Sequence, residues 1–176
     1  MRQVREGEVN GLEVLFDRHH RALLHYFLHL TGNRATSEDL VQEVFFRVLK
    51  YRRSYQTESN FRAWLFQIGR NAYLDHIGRN KKEVAWPAEV PEVTSPDAAP
   101  DRLMEEKQET ALLRQAMAGL PAEKREVLVM SRFLELKYEE IAAALECEVG
   151  TVKVRVYRAL HELGDRFFAL RGEPMS

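Results

Sequence analysis

The sequence predicts an all-α fold: two small helical domains joined by a proline-rich acidic linker, the second domain containing a helix-turn-helix. Three observations predict it. Apolar residues recur at helix spacing in both halves of the chain, and no convincing period-two alternation or glycine-rich phosphate loop appears. Four of the six prolines, Pro87, Pro91, Pro96 and Pro100, gather in one stretch near the middle. The expected boundaries are 1–83, 84–103 and 104–176.

The first domain opens with Leu12, Leu15 and Phe16, then Leu23, Leu24, Phe27 and Leu28, a spacing that predicts a long helix. TGNRATSEDL reads as a break followed by a new helix start. Ser37 is the expected cap, and Glu38 and Asp39 fall in the first turn, where the helix dipole favours acids. In EDLVQEVFFRVLK, Val41, Val44, Phe45, Val48 and Leu49 form one buried stripe. The opposite stripe holds Asp39, Gln42, Glu43, Phe46 and Lys50. A polar face with one aromatic fits a protein-docking surface, and it also fits a solvated outer face with an incidental phenylalanine.

In YRRSYQTESNFRAWLFQIGRNAYLDHIGRNKK, aromatics alternate with cations. Asn60 is expected to cap a helix beginning near Phe61. Tyr51, Tyr55, Phe61, Trp64, Phe66 and Tyr73 offer stacking faces, while Arg52, Arg53, Arg62, Arg70, Arg79, Lys81 and Lys82 offer charge for phosphates. That combination suits single-stranded nucleic acid, where stacking contributes about 1–3 kcal/mol per base. Phe61, Leu65, Ile68 and Ala72 also read as an ordinary core stripe. The segment 1–83 is net positive, its cations concentrating from Arg47 onward.

The linker carries Glu89, Glu92, Asp97 and Asp101, and from Val84 to Asp101 it has no Lys or Arg. It is either a solvated tether or an acidic strand for a partner's basic groove. Beyond it, Pro121 suits the first turn of a helix running through AEKREVLVMSRF. The stretch YEEIAAALECEVGTVKVRVYRALHELGDRF then reads as helix, tight turn, helix. Tyr138 to about Leu145 form the first helix, and Glu146, Cys147 and Glu148 form the turn. Val152, Val156, Leu160 and Leu163 line the buried side of the second. Its other side presents Gly150, Lys153, Val154, Tyr157, Arg158 and His161. A recognition helix in a major groove needs that layout. Arg and Lys bond guanine edges or phosphates, and valine meets a thymine methyl. An ordinary helical hairpin with a charged outer face is the alternative.

Composition narrows the function classes. The chain has 176 residues, a net charge of -1 and 45% hydrophobic residues, enough for one ordinary domain or two small ones. Overall charge announces no polyanionic partner, so local patches must be read instead. One cysteine, Cys147, excludes an intramolecular disulfide and fits a reducing cytoplasm. No apolar run approaches bilayer length, and the first residues lack the apolar core of a signal peptide. A soluble cytoplasmic protein without membrane insertion is therefore expected. No Ser/His/Asp arrangement, Walker motif or HExxH occurs, so neither catalysis nor a cofactor is expected. His25 and His29 sit at i, i+4 without a third ligand at metal spacing, and Cys147 has no resolving thiol nearby. From the residues alone, a helix-turn-helix regulator with an N-terminal sensor domain and a helical adaptor that binds no DNA both stay open.

These pieces, in this order from about Leu12 to Phe168, resemble a bacterial sigma factor of the extracytoplasmic-function type, with regions 2 and 4 only. SEDLVQEVFFRVLK resembles the region-2 helix that grips the polymerase clamp. NFRAWLFQIGRNAYLDHIGRNKK resembles the promoter-melting segment, and LPAEKREVLVMSRFLELKYEEIAAALECEVGTVKVRVYRAL resembles region 4. The resemblance implies that Asp39, Gln42, Glu43 and Phe46 meet core RNA polymerase on the clamp of its beta-prime subunit. The flap of its beta subunit is a second implied contact. Tyr55, Asn60, Phe61 and Asn71 match positions that hold a flipped −10 base, and Trp64 the tryptophan near the melting site. Lys153, Val154, Tyr157 and Arg158 match −35 base-reading positions, with Thr151 and Arg155 on phosphate. The acidic linker matches the segment that threads toward the polymerase active centre. Promoter DNA and an anti-sigma protein are the other implied partners. The family usually has glycine near Glu146, a small polar capper near Glu148 and serine at Val154. These departures imply an altered −35 preference.

Overall fold

The computed structural model describes residues 1–6, 10–56, 59–79 and 100–172, apart from the side chains of 2, 3 and 100–107. Eight α-helices and no strand occur among the described residues. The first domain comprises α1 (Arg2–Glu6), α2 (Asn10–Thr31), α3 (Arg34–Lys50), a 3₁₀ turn (Arg52–Ser54) and α4 (Phe61–Arg79). The second comprises α5 (Pro100–Gly119), α6 (Ala122–Leu128), a π-helical turn (Val129–Phe133), α7 (Tyr138–Ala144) and α8 (Val149–Arg171). Most of the expected linker, with Glu89, Glu92 and Asp97, lies outside the described residues. Its last residues, from Pro100 to Leu103, are already helical, because proline is tolerated in the first turn.

The helix pattern decides what is buried. On α2, Leu23, Tyr26, Phe27 and Leu30 point inward. On α3 the expected stripe Val41, Val44, Phe45 and Val48 does the same. The cap of α3 differs from expectation. Asn33, not Ser37, accepts from the Thr36 N–H at 2.9 Å, so the helix starts nearly one turn earlier. Gly32, at φ 61°, makes the preceding turn. Ser37 is instead buried, its hydroxyl bonded to the Asn33 carbonyl at 2.7 Å.

In the second domain the buried guanidinium of Arg125 donates to the carbonyls of Met117, Ala118 and Leu120. It thereby satisfies acceptors that the end of α5 leaves open. The π-helical turn was not legible as such: the Leu134 N–H reaches the Val129 carbonyl at 3.0 Å. The extra residue in that turn sets Phe133 and the Leu134 carbonyl toward the first domain.

The two domains share one core. Helix α4 packs against α7, while α2 packs against α6 and the π-helical turn. Tyr26 of α2 is fully buried and donates to Glu126 of α6 at 2.7 Å.

Candidate polymerase and nucleic-acid interfaces

Three surfaces carry the residues singled out from the sequence. The first is the outer face of α3. Asp39, Gln42 and Phe46 are exposed there, Phe46 by 62%. Glu43 is half-buried, because it holds Arg47 at 2.6 Å and Arg47 in turn holds Asp75 of α4 at 2.8 Å. An acidic face with an uncovered aromatic offers both charge and an apolar anchor to another protein.

The second surface is α4 with the loop before it. Asn60 caps the helix as expected, its side-chain Oδ1 accepting from the Arg62 N–H at 2.9 Å and the Ala63 N–H at 3.3 Å. Phe61, Arg62, Trp64 and Arg70 are half-buried, and Asn71 is exposed. Tyr55 departs from the expectation of a stacking face open to bases. It is only 5% exposed, and its hydroxyl donates to the Ser59 carbonyl at 2.7 Å. Its ring lies 5.1 Å from Trp64 and 5.8 Å from Phe61, so it buttresses those two rings.

A cleft of about 370 Å³ opens between α2 and this loop, lined by Arg18, His19, Tyr55, Asn60, Phe61 and Arg62. Burial, then the charges of Arg18 and Arg62, hold the His19 imidazole below its ordinary pKa. The imidazole therefore favours its neutral form among these cations.

The face of α4 also meets the second domain, which local sequence patterns did not reveal. The Asn60 amide donates to Glu140 at 2.9 Å, and Gln67 donates to Glu146 at 2.7 Å. Arg70 reaches Glu126 at 3.4 Å, and Arg62 donates to the Leu134 carbonyl. The partners lie 56 to 80 residues away in sequence, beyond any helical period.

The third surface is on α8. Helix α7, the turn at 145–148 and α8 form the expected helix-turn-helix. The Glu140 carboxylate accepts from the Lys137 N–H at 2.8 Å and fixes the start of α7. The turn closes through the Cys147 N–H to the Ala142 carbonyl at 3.0 Å, with Glu146 left-handed at φ 51°. A non-glycine residue thus holds the left-handed position without loss of the turn, at a backbone cost. Val152, Val156 and Ala159 are buried, whereas Leu160 and Leu163 are only half-buried. Thr151, Lys153, Val154, Arg155, Tyr157 and Arg158 are all exposed, Tyr157 by 70%. One ridge thus carries cations, a hydroxyl and apolar tips.

No group of three or more His, Cys, Asp or Glu residues is placed to hold a metal among the described residues. No described helix is long and apolar enough to cross a membrane.

The fold is that of a two-domain helical protein with a helix-turn-helix in its second domain. The chain matches the family models for Sigma-70 region 2 over residues 15–83 and Sigma-70, region 4 over residues 110–163. It is 34% identical to the ECF RNA polymerase sigma factor SigL of Mycobacterium tuberculosis (strain ATCC 25618 / H37Rv) over 165 residues, 89% of each chain. It is 36% identical to the ECF RNA polymerase sigma factor SigE of Mycolicibacterium smegmatis over 139 residues, 77% of this chain and 53% of SigE. The chain therefore spans about half of SigE and most of SigL. Among solved structures, the sigma factor RpoE in complex with the anti-sigma factor NepR, from Bartonella quintana, shares the fold. The TM-score is 0.71 at 23% identity, over 88% of this chain and 94% of that one. The protein belongs to the extracytoplasmic-function family of RNA polymerase sigma factors, with regions 2 and 4.

Proposed function

We propose that the chain binds core RNA polymerase in the bacterial cytoplasm and directs initiation at promoters, itself catalysing nothing. The second domain reads the −35 duplex through α8, with Lys153, Val154, Tyr157 and Arg158 at base edges and Thr151 and Arg155 on phosphate. The first domain opens the −10 element. Phe61 and Trp64, braced by Tyr55, stack on displaced bases, and Asn60, Arg62, Arg70 and Asn71 bond the strand. Asp39, Gln42, Glu43 and Phe46 dock on the beta-prime clamp, and the second domain meets the beta flap. An anti-sigma protein, as NepR is for RpoE, holds the chain inactive by covering these faces.

One observation carries the reading. A single helix buries Val152 and Val156 while holding Lys153, Val154, Tyr157 and Arg158 out to solvent, which is the requirement for insertion into a major groove. Run-off transcription with purified core polymerase and DNA retained by the holoenzyme tests it. Promoter-dependent transcripts are expected. DNA binding without them would instead favour a conventional helix-turn-helix regulator.

A further inference from the structure

We propose that His161 is a further phosphate contact of α8, made only when its imidazole is protonated, so that −35 duplex is held more tightly as pH falls. This inference rests on the proposed reading of that duplex by α8. His161 follows Val154 by seven residues, Tyr157 by four and Arg158 by three, so it continues their exposed ridge by one turn. Its side chain is 57% exposed, and its ring centre lies 6.4 Å from that of Tyr157. A recognition helix meets base edges through its N-terminal turns. At 1.5 Å of rise per residue, His161 lies about 10 Å beyond Val154 along the axis. There a groove about 12 Å wide gives way to the flanking backbone. A polar side chain at that place meets phosphate rather than a base edge.

Asp165 decides which ring nitrogen is free. Its carboxylate lies 3.2 Å from His161 Nδ1. An ionised carboxylate only accepts, so Nδ1 carries the proton of that bond and Nε2 is left for a ligand. In the neutral ring Nε2 is an acceptor and repels a phosphate oxygen. Protonation turns it into a charged N–H donor, which attracts one. Tyr157, Arg158 and Asp165 are the charged or titratable groups that α8 itself sets near the ring. Those of the helices packed on α8 are engaged elsewhere: Glu109 of α5 by Arg171, Lys124 of α6 by Glu162, Glu126 of α6 by Tyr26 and Glu140 of α7 by Asn60. Glu139 of α7 borders Trp64. Imidazole is the side chain whose ordinary charge change falls between about pH 5 and pH 8, which sets the interval to be scanned.

The test is the affinity of the full chain for a fluorescein-labelled duplex of about two helical turns, carrying a −35 site recovered from DNA retained by the holoenzyme. Anisotropy is read at constant salt from about pH 5 to pH 8. The other histidines are common to the natural chain and His161→Gln, so the ratio of their affinities isolates this one. The natural chain should bind roughly threefold more tightly than His161→Gln at the acid end and about equally at the alkaline end. Its salt dependence should exceed that of His161→Gln by about one counterion at the acid end alone. His161→Lys, charged throughout, should match the natural chain at the acid end and exceed it roughly threefold at the alkaline end. The site is exposed, so both variants should keep the natural melting temperature. His25→Gln removes an exposed imidazole of the first domain and should bind as the natural chain does at every pH. An equal loss at the acid end in that control would show a general charge effect and overturn the contact. A ratio for His161→Gln that stays constant with pH, while Arg158→Ala weakens binding, overturns the contact and leaves the reading of duplex by α8 standing. Duplex affinity that neither Arg158→Ala nor His161→Gln changes overturns both.

Discussion

The hydroxyl of Tyr26 in the first domain donates to the carboxylate of Glu126 in the second across 2.7 Å, at a site where the tyrosine is wholly buried. Burial, then the charge of Glu126, pushes the phenol well above its ordinary pKa, so it remains a protonated donor. Tyr26→Phe would leave the buried carboxylate with Arg70, at 3.4 Å, as its cross-domain partner. A weakened charged bond of this kind costs about 1–3 kcal/mol. The urea midpoint should fall by the corresponding amount with helical content unchanged, and an unmoved midpoint would show that the bond adds nothing to stability.

Gly69 lies within α4, facing α2. A methyl group added there would meet the Leu23 side chain at 3.4 Å and Phe27 at 3.6 Å, which are ordinary van der Waals contacts. Gly69→Ala should therefore stabilise the protein by about 0.5–1 kcal/mol through the unfolded chain's lost freedom. Thermal denaturation checks it, and a lower midpoint would mean that α4 cannot absorb the methyl group.

His29 sits against Phe133 with ring centres 4.2 Å apart, at the seam between the domains. Burial first, then the charges of His25 and Arg114, lower its pKa from 6.5 to about 4. Between those values the unfolded chain binds a proton that the folded chain refuses. Stability from this group is full above pH 6.5, declines as pH falls, and levels off below about pH 4. His29→Leu should flatten that part of the stability profile. Urea titrations at a series of pH values, natural chain against variant, measure the difference, and parallel profiles would refute the assignment.

What was legible in the sequence follows physical range. Periodicity reports which side of a helix is apolar, so most of the α3 stripe, Val152 and Val156 of α8 and the exposed ridge Lys153–Val154–Tyr157–Arg158 were readable directly, whereas Leu160 and Leu163 are only half-buried. Local chemistry was readable in part. Asn60 caps as its type suggests, but Asn33 took the role expected of Ser37, because both residues are good cappers and the turn at Gly32 favours the earlier one. Tyr55 looked like a stacking face because composition cannot tell an open ring from one bonded to the Ser59 carbonyl. The domain seam was not readable. Tyr26 and Glu126 are 100 residues apart, and nothing periodic links them. The π-helical turn, which brings the Leu134 carbonyl to Arg62, leaves no composition signal either.

Arg158 and Arg155 are both exposed on α8, yet their proposed roles differ. Arg158→Ala should lose about 1–3 kcal/mol of binding to the preferred −35 duplex and relax discrimination at one base pair. Arg155→Ala should weaken all duplexes alike and reduce the salt dependence by about one counterion. Competition binding across single-base variants at several salt concentrations separates the two patterns, and identical behaviour of the variants would dissolve the distinction.

The proposed docking face of α3 is best tested without disturbing the chain from Glu43 through Arg47 to Asp75, which ties α3 to α4. Charge reversal at Glu43 would set two cations side by side and confuse misfolding with lost docking. Asp39 and Phe46 are exposed and take no part in that chain. Surface changes of this kind usually alter stability by no more than about 0.5 kcal/mol. The loss of a central aromatic and reversal of a rim charge at an interface commonly cost about 2 kcal/mol or more, at least tenfold in affinity. Asp39→Arg/Phe46→Ala should therefore fail to co-purify with core polymerase while its melting temperature and its binding to −35 duplex stay unchanged. Retained co-purification would move the polymerase contact to another face of the first domain, since these two side chains supply the charge and the apolar anchor that a docking surface here requires.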